Sequence, residues 1–255
     1  ILVADSALAI GETSLVTIAF SEAVAGFTNA DLTIANGTLS AVSSADNGTT
    51  WTATFTPAAS ITDPINVITL DNIGVADAAG NAGTGTTDSN NYAIDSIRPT
   101  ASILVADDSL TADETTLVTI TFSEAVAGFT NADLTIANGT LSAVISADGG
   151  ITWTATFTPT ANVTDASNVI TLNNTGVTDA AGNNGSGTTD SNNYAIDSVR
   201  PTISTVSRHT PTSQYTNANS LTFQITFSEA VTGVDAADFM FTGTDASISN
   251  LTTND

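Results

Sequence analysis

The side chains with the most chemistry to offer in this chain are its acids. Asp and Glu number 26 against 3 Lys and Arg, the net charge is −23, and there is no Lys and no Cys. The single His, His209, sits beside Arg208. A nucleophilic triad needs a base, and a lone His next to an Arg reads as an exposed loop residue rather than a catalytic one. Zinc and copper favour Cys and His ligands, so this composition points away from both. Paired carboxylates can hydrolyse glycosides, but a catalytic cleft needs one unique concave site, and here the same acids recur along the chain. Repeated carboxylates and amides suit a hard cation instead. Calcium takes about six to eight oxygen ligands from such groups. The stretch Asp77 to Asp88 has the length of an EF-hand loop, yet Ala79 and Ala82 break that pattern. No phosphate loop, basic patch or cofactor signature is present, and so acidic a surface repels nucleic acid and anionic membranes. The expectation is a chain that is not an enzyme and has no nucleic-acid partner. No run approaches the roughly 18 apolar residues of a membrane span, so no membrane insertion is expected in this segment.

The acids recur because the chain does. The string SEAVAGFTNADLTIANGTLSAV starts at Ser21 and returns unchanged at Ser123, and NNYAIDS at Asn90–Ser96 returns at Asn192–Ser198. A divergent copy, SEAVTGVDAADF, starts at Ser228. A period of about 100 residues is too long for a solenoid unit and matches one small domain per repeat. The expected domains are 1–98, without its opening Pro-Thr segment, 99–200, and a divergent, incomplete third over 201–255. A chain that opens inside a repeat without an initiator Met is expected to be a piece of a longer protein. Without Cys or Lys, neither disulfides nor Lys–Asn isopeptide bonds can staple these domains.

Within a repeat the hydrophobic period is two. Val16, Ile18 and Phe20 alternate with Thr17 and Ala19; Trp51, Ala53 and Phe55 alternate with Thr52 and Thr54. Shorter runs lie at Leu32–Ile34, Leu39–Ala41, Ile68–Leu70 and Tyr92–Ile94, and Ile1–Val3 opens the set. Thr, Val and Ile favour pleated sheet, and Asn36-Gly37, Asp46-Asn47-Gly48, Asp63-Pro64 and Gly80-Asn81 punctuate the gaps. Seven short strands in about 100 residues predict an all-β fold of tandem immunoglobulin-like sandwiches in an elongated array. The predicted core is Val16, Ile18, Phe20, Leu32, Ile34, Trp51, Phe55 and Leu70.

The motifs FSEAV, GFTNADL, NGTLSAV, WTATFTP, GVADAAGNAG and YAIDSIRPT resemble the bacterial Ig-like repeats of giant secreted, biofilm-associated adhesins of the RTX type. The resemblance spans both full repeats and the visible part of the third. It implies an extracellular or cell-surface stalk, often calcium-stiffened. The glycine-rich nonapeptides that close many such proteins are absent from this segment.

In such a sandwich, alternate loops gather at the end where the chain arrives, here called the leading end. In repeat two these loops carry Glu124, Asn131, Asp133, Asp148, Asp179, Asn183 and Asp190, and the linker before them carries Asp95. The predicted calcium ligands are Asp95, Glu124, Asp179 and Asn183 at the first junction, and Asp197 and Glu229 at the second. Glu22, Asp77 and Asn81 would serve a junction upstream of Ile1. Asp and Asn also suit turns, because they hydrogen-bond their own backbone, and this reading stays open beside the first.

The function expected is a structural stalk segment of an adhesin, its Ig-like domains stiffened by junctional calcium and packed against neighbouring repeats of the same chain. The alternatives are a self-assembling filament or surface-layer subunit, with other copies as partners, and a glycan- or protein-binding module. Asn-x-Ser/Thr sequons at Asn36, Asn47, Asn138, Asn162, Asn173, Asn184 and Asn250 are no more than chance supplies in so Asn- and Thr-rich a chain.

Overall fold

A computed structural model describes residues 1–253. By its internal contacts the chain divides into two compact units, Ile1–Asp197 and a second beginning at Ser198.

The first unit holds two all-β sandwiches that share one topology. In repeat one, the first sheet runs in the order Leu2–Val3, Ser14–Ala19, Thr50–Pro57, Gly37–Leu39, with Ser43–Ser44 also on Thr50–Pro57. Facing it are the sets Ala7–Leu8, Tyr92–Asp95, Thr62–Asn66 and Thr86–Asp88, Ile68–Asp71, Leu32–Ile34, with Val24–Ala25 paired to Ala76–Asp77. Repeat two repeats the order, starting Ala101–Val105, Thr116–Phe122, Thr152–Pro159, Gly139–Leu141.

The strands with strong alternation stand where the pattern predicts them. Those it misses are short and polar. Thr62–Asn66 contains Pro64, which a sheet tolerates only at an edge, and it pairs with Tyr92–Asp95 through a bulge. Ala7–Leu8 joins the same strand in parallel, so the opening segment switches sheets within a few residues.

Each bead has its own apolar core. Val16, Ile18, Leu32, Phe55 and Leu70 are buried as expected, and the ring of Phe55 meets Tyr92 edge-on at 5.0 Å. Phe20, Ile34 and Trp51 are half-buried instead, packed on the rim of that core. Trp51 has a physical reason to stay at the rim. Its indole N–H must find an acceptor, and it donates to the Gly48 carbonyl at 3.0 Å while the ring meets Phe27 at 5.3 Å.

A polar clamp locks each bead near the core. Asn36, at φ 56°, donates from Nδ2 to Asp63 Oδ2 at 2.8 Å and Asn66 Oδ1 at 2.9 Å. Asn66 in turn donates to the carbonyl of Tyr92. Asn138, Asp165, Asn168 and Tyr194 repeat the arrangement. Burying amides this way is tolerable because their hydrogen bonds are made.

The second unit contains the hairpin of Ile203–Thr210 with Thr222–Phe227 and a short 3-10 turn at Ala236–Asp238. His209 is exposed as expected, but it lies in a strand rather than a loop. Arg208 pairs across the hairpin from Phe223.

Candidate functional site

Three carboxylates converge where repeat one meets repeat two. Oxygens of Asp95, Glu124 and Asp179 lie within 4.8 Å of one another. They come from three separate places: the end of the last strand of repeat one, the SEAV segment after Thr116–Phe122, and the end of strand Thr178–Asp179. No linear motif links them. Val126 pairs with Asp179 in a two-residue ladder, and this pairing brings the SEAV segment beside the Asp179 loop.

The site is electrostatically loaded. Burial pushes the Glu124 carboxyl above its ordinary range, and the Asp179 and Asp95 carboxylates push it the same way. Asp179 is only 5% exposed. Its Oδ1 accepts the backbone N–H groups of Ala181 and Asn183, so the loop folds around the carboxylate. Asp95 Oδ1 accepts from the Thr62 hydroxyl at 2.9 Å, which pins it to its own bead.

Asn183 ties the two beads together. It is fully buried. Its Nδ2 donates to Asp179 Oδ2 at 2.8 Å and to the Asp95 carbonyl at 2.9 Å. Its Oδ1 accepts the backbone N–H of Ile10 at 2.7 Å, from the turn after Ala7–Leu8 in repeat one. One side chain therefore touches its own loop, the linker and a distant turn of the preceding bead. Arg98 adds a bond from its guanidinium to the Asn184 carbonyl. Asn183, expected as a ligand, stands in the structure as a brace between the beads, a role that spacing alone did not suggest.

The other acids of the leading end are bonded within their own bead, in turns or, for Asp190, in a strand. Asp133 completes a capping box with Thr130 around the 3-10 turn Asn131–Asp133. Asn131 bonds Ser142 and Val144. Asp190 accepts from the Thr171 hydroxyl at 2.6 Å. Asp148 accepts the Thr152 N–H and the Ser146 hydroxyl, and these bonds hold its carboxyl down at about 2. The turn reading thus accounts for Asp133 and Asp148, and for part of the bonding of Asp179.

In repeat one, Asp77 and Asn81 keep the same internal bond, Nδ2 to Oδ2 at 2.7 Å. That bond, with the backbone N–H groups of the loop, lowers the Asp77 carboxyl. Glu22 and Asn81 are exposed, and with Asp77 they line an open groove of about 280 Å³ that also reaches Phe20 and Val24. Asp197 belongs to the first unit and Glu229 to the second.

The donor set at the first junction is all oxygen and mostly carboxylate, which suits a hard cation such as calcium and not zinc. Asp95, Glu124 and Asp179 would hold it.

The profile of the bacterial Ig-like domain matches residues 1–94 and 95–196. The chain belongs to this family. No curated protein sequence matches it. Among solved structures, this bacterial Ig-like chain is similar to FdeC, an adhesin of Escherichia coli, at 13% identity and TM-score 0.35, over 81% of this chain and 66% of that one. It is also similar to the adhesin InvE of Yersinia pseudotuberculosis, at 16% identity and TM-score 0.27, over 76% and 57%. The surface-layer protein SbsC, domains 4–9, is similar at 15% identity and TM-score 0.24, over 80% and 31%. The chain thus spans less than two thirds of the length of each. Among the described residues no helix is long and apolar enough to cross a membrane.

Proposed function

We propose that this chain is a non-enzymatic stalk segment of an extracellular bacterial adhesin, its tandem Ig-like domains made rigid by calcium at their junctions. The observation that carries this reading is the convergence of Asp95, from one bead, with Glu124 and Asp179, from the next, within 4.8 Å. Three like charges at one partly buried place repel one another, and a divalent cation would neutralise that repulsion while tying both beads to one centre. The chain's own residues prepare the site. Thr62 orients Asp95, the Ala181 and Asn183 backbone N–H groups orient Asp179, and Asn183 fixes the distance between beads. A cation that binds only the docked form stabilises it by mass action.

The test is thermal unfolding and small-angle scattering of the full chain with calcium and with EDTA. The expected outcome is a lower melting temperature and a looser particle in EDTA. Glu124→Gln should remove most of the difference between the two conditions. Profiles that coincide in calcium and EDTA would refute the calcium part and leave the stalk reading to the family and the docked junction.

A further inference from the structure

We infer that Asn47 is a site of spontaneous deamidation, and that repeat two lacks the counterpart of this site. The chain carries Asn-Gly at Asn36, Asn47, Asn138 and Asn184. In each, the backbone nitrogen of the glycine can attack the side-chain Cγ of the asparagine, because glycine has no Cβ to hinder the approach. The glycine N–H gives its proton to hydroxide, the new N–C bond closes a succinimide, and the amide nitrogen leaves as ammonia. Water then opens the ring at either carbonyl, giving aspartate or isoaspartate. The sum is one water consumed and one ammonia released, with no oxidant, reductant or enzyme.

The reaction needs a free amide and a nitrogen that can reach it, and the fold withholds these at three of the four positions. Asn36 and Asn138 have their Nδ2 groups tied to Asp63 and Asn66, and to Asp165 and Asn168, inside the clamp of each bead. Asn184 has its Oδ1 bonded by the Thr178 hydroxyl at 2.8 Å, and the Gly185 N–H is committed to the Val177 carbonyl at 3.0 Å.

Asn47 differs from all three. It shares its positive φ with Asn36 and Asn138 and its exposure with Asn184, but among the described residues its side chain alone of the four makes no hydrogen bond. Two restraints remain: Gly48 is buried, and its N–H bonds Ser44 Oγ at 2.9 Å. The bond is a single neutral one, whose loss frees the nitrogen to attack the unbonded amide beside it. Repeat two has Gly149 at this position. Its neighbour Asp148 is held ionised at about 2, and a carboxylate is a poor target for the same attack.

The turn matters to the bead. The Gly48 carbonyl accepts both the Val24 N–H at 3.1 Å and the Trp51 indole N–H at 3.0 Å. Isoaspartate would lengthen the backbone just before this hub and loosen the SEAV segment of repeat one alone.

The experiment is incubation of the full chain at mildly alkaline pH, followed by peptide mapping by mass spectrometry. Expected is conversion at Asn47 ahead of the other three by tenfold or more. Ser44→Ala, which frees the Gly48 N–H, should speed it severalfold, and Asn47→Gly should abolish it without unfolding the chain. A urea-unfolded control should lose the preference. Conversion of Asn36, Asn138 or Asn184 at a rate matching Asn47 would overturn the inference. So would an unreactive Asn47 in the folded chain beside a reactive one in urea.

Discussion

The leading ends of repeats one and two carry the same residues in the same register and behave differently. Glu22, Asp77 and Asn81 stand in an open groove; Glu124, Asp179 and Asn183 stand in a closed junction. The loop is built identically, since Asp77 and Asp179 each accept from the asparagine four residues on. What differs is the neighbour. Ile10 and Asp95 of the preceding bead reach Asn183. The loop becomes a connector where a preceding bead docks on it. Local sequence builds the half-site, and the neighbouring bead completes it.

That comparison can be tested at several strengths. Cores that are copies should fail alike. Phe55→Ala and Phe157→Ala should each cost about 3–5 kcal/mol, and unequal losses by denaturant unfolding would show that docking reaches the cores. The junction should then separate the repeats. Asn183→Ala leaves the Ile10 N–H and the Asp95 carbonyl without their partner and should cost about 1–3 kcal/mol, whereas Asn81→Ala should stay within about 0.5 kcal/mol. Asn183→Ala should also broaden the particle in scattering even in EDTA, because the brace is a set of hydrogen bonds and needs no cation. Equal effects at Asn81 and Asn183 would break the comparison.

The smallest effect should be the same in both beads. Asp46 and Asp148 are both held at about 2 by backbone and Ser hydroxyl bonds. Carboxyls lowered in the folded state contribute stability above the ordinary range of about 4, and this contribution fades as pH falls through about 2. NMR titration should find the two midpoints together. A separation would mean that Asn47 and Gly149, the residues that distinguish these turns, alter the bonds around them.

Much of this fold is legible in its residues. Val16, Ile18 and Phe55 declare their strands by alternation, and a strand that buries one face has little freedom to do otherwise. The polar strands at Thr62–Asn66 and Ala76–Asp77 are not legible, since their pairing rests on backbone partners far along the chain. Among the acids, sequence showed which could gather at a leading end but not which would. Asp133 and Asp148 are spent on their own turns alone, whereas Asp179 holds its own turn and also stands beside Glu124 and Asp95.

Sequence by itself determined the period, the two sandwiches, their cores and the excess of carboxylates, because these follow from local alternation and composition repeated in register. Tertiary structure alone decided that Asp95, Glu124 and Asp179 share one place and that Asn183 braces it. Asp77–Asn81 and Asp179–Asn183 are both read DAAGN, so no local rule can tell them apart. The distinction comes from Ile10 and Asp95, held against Asn183 across more than 80 positions of chain by the docking of one folded bead on another.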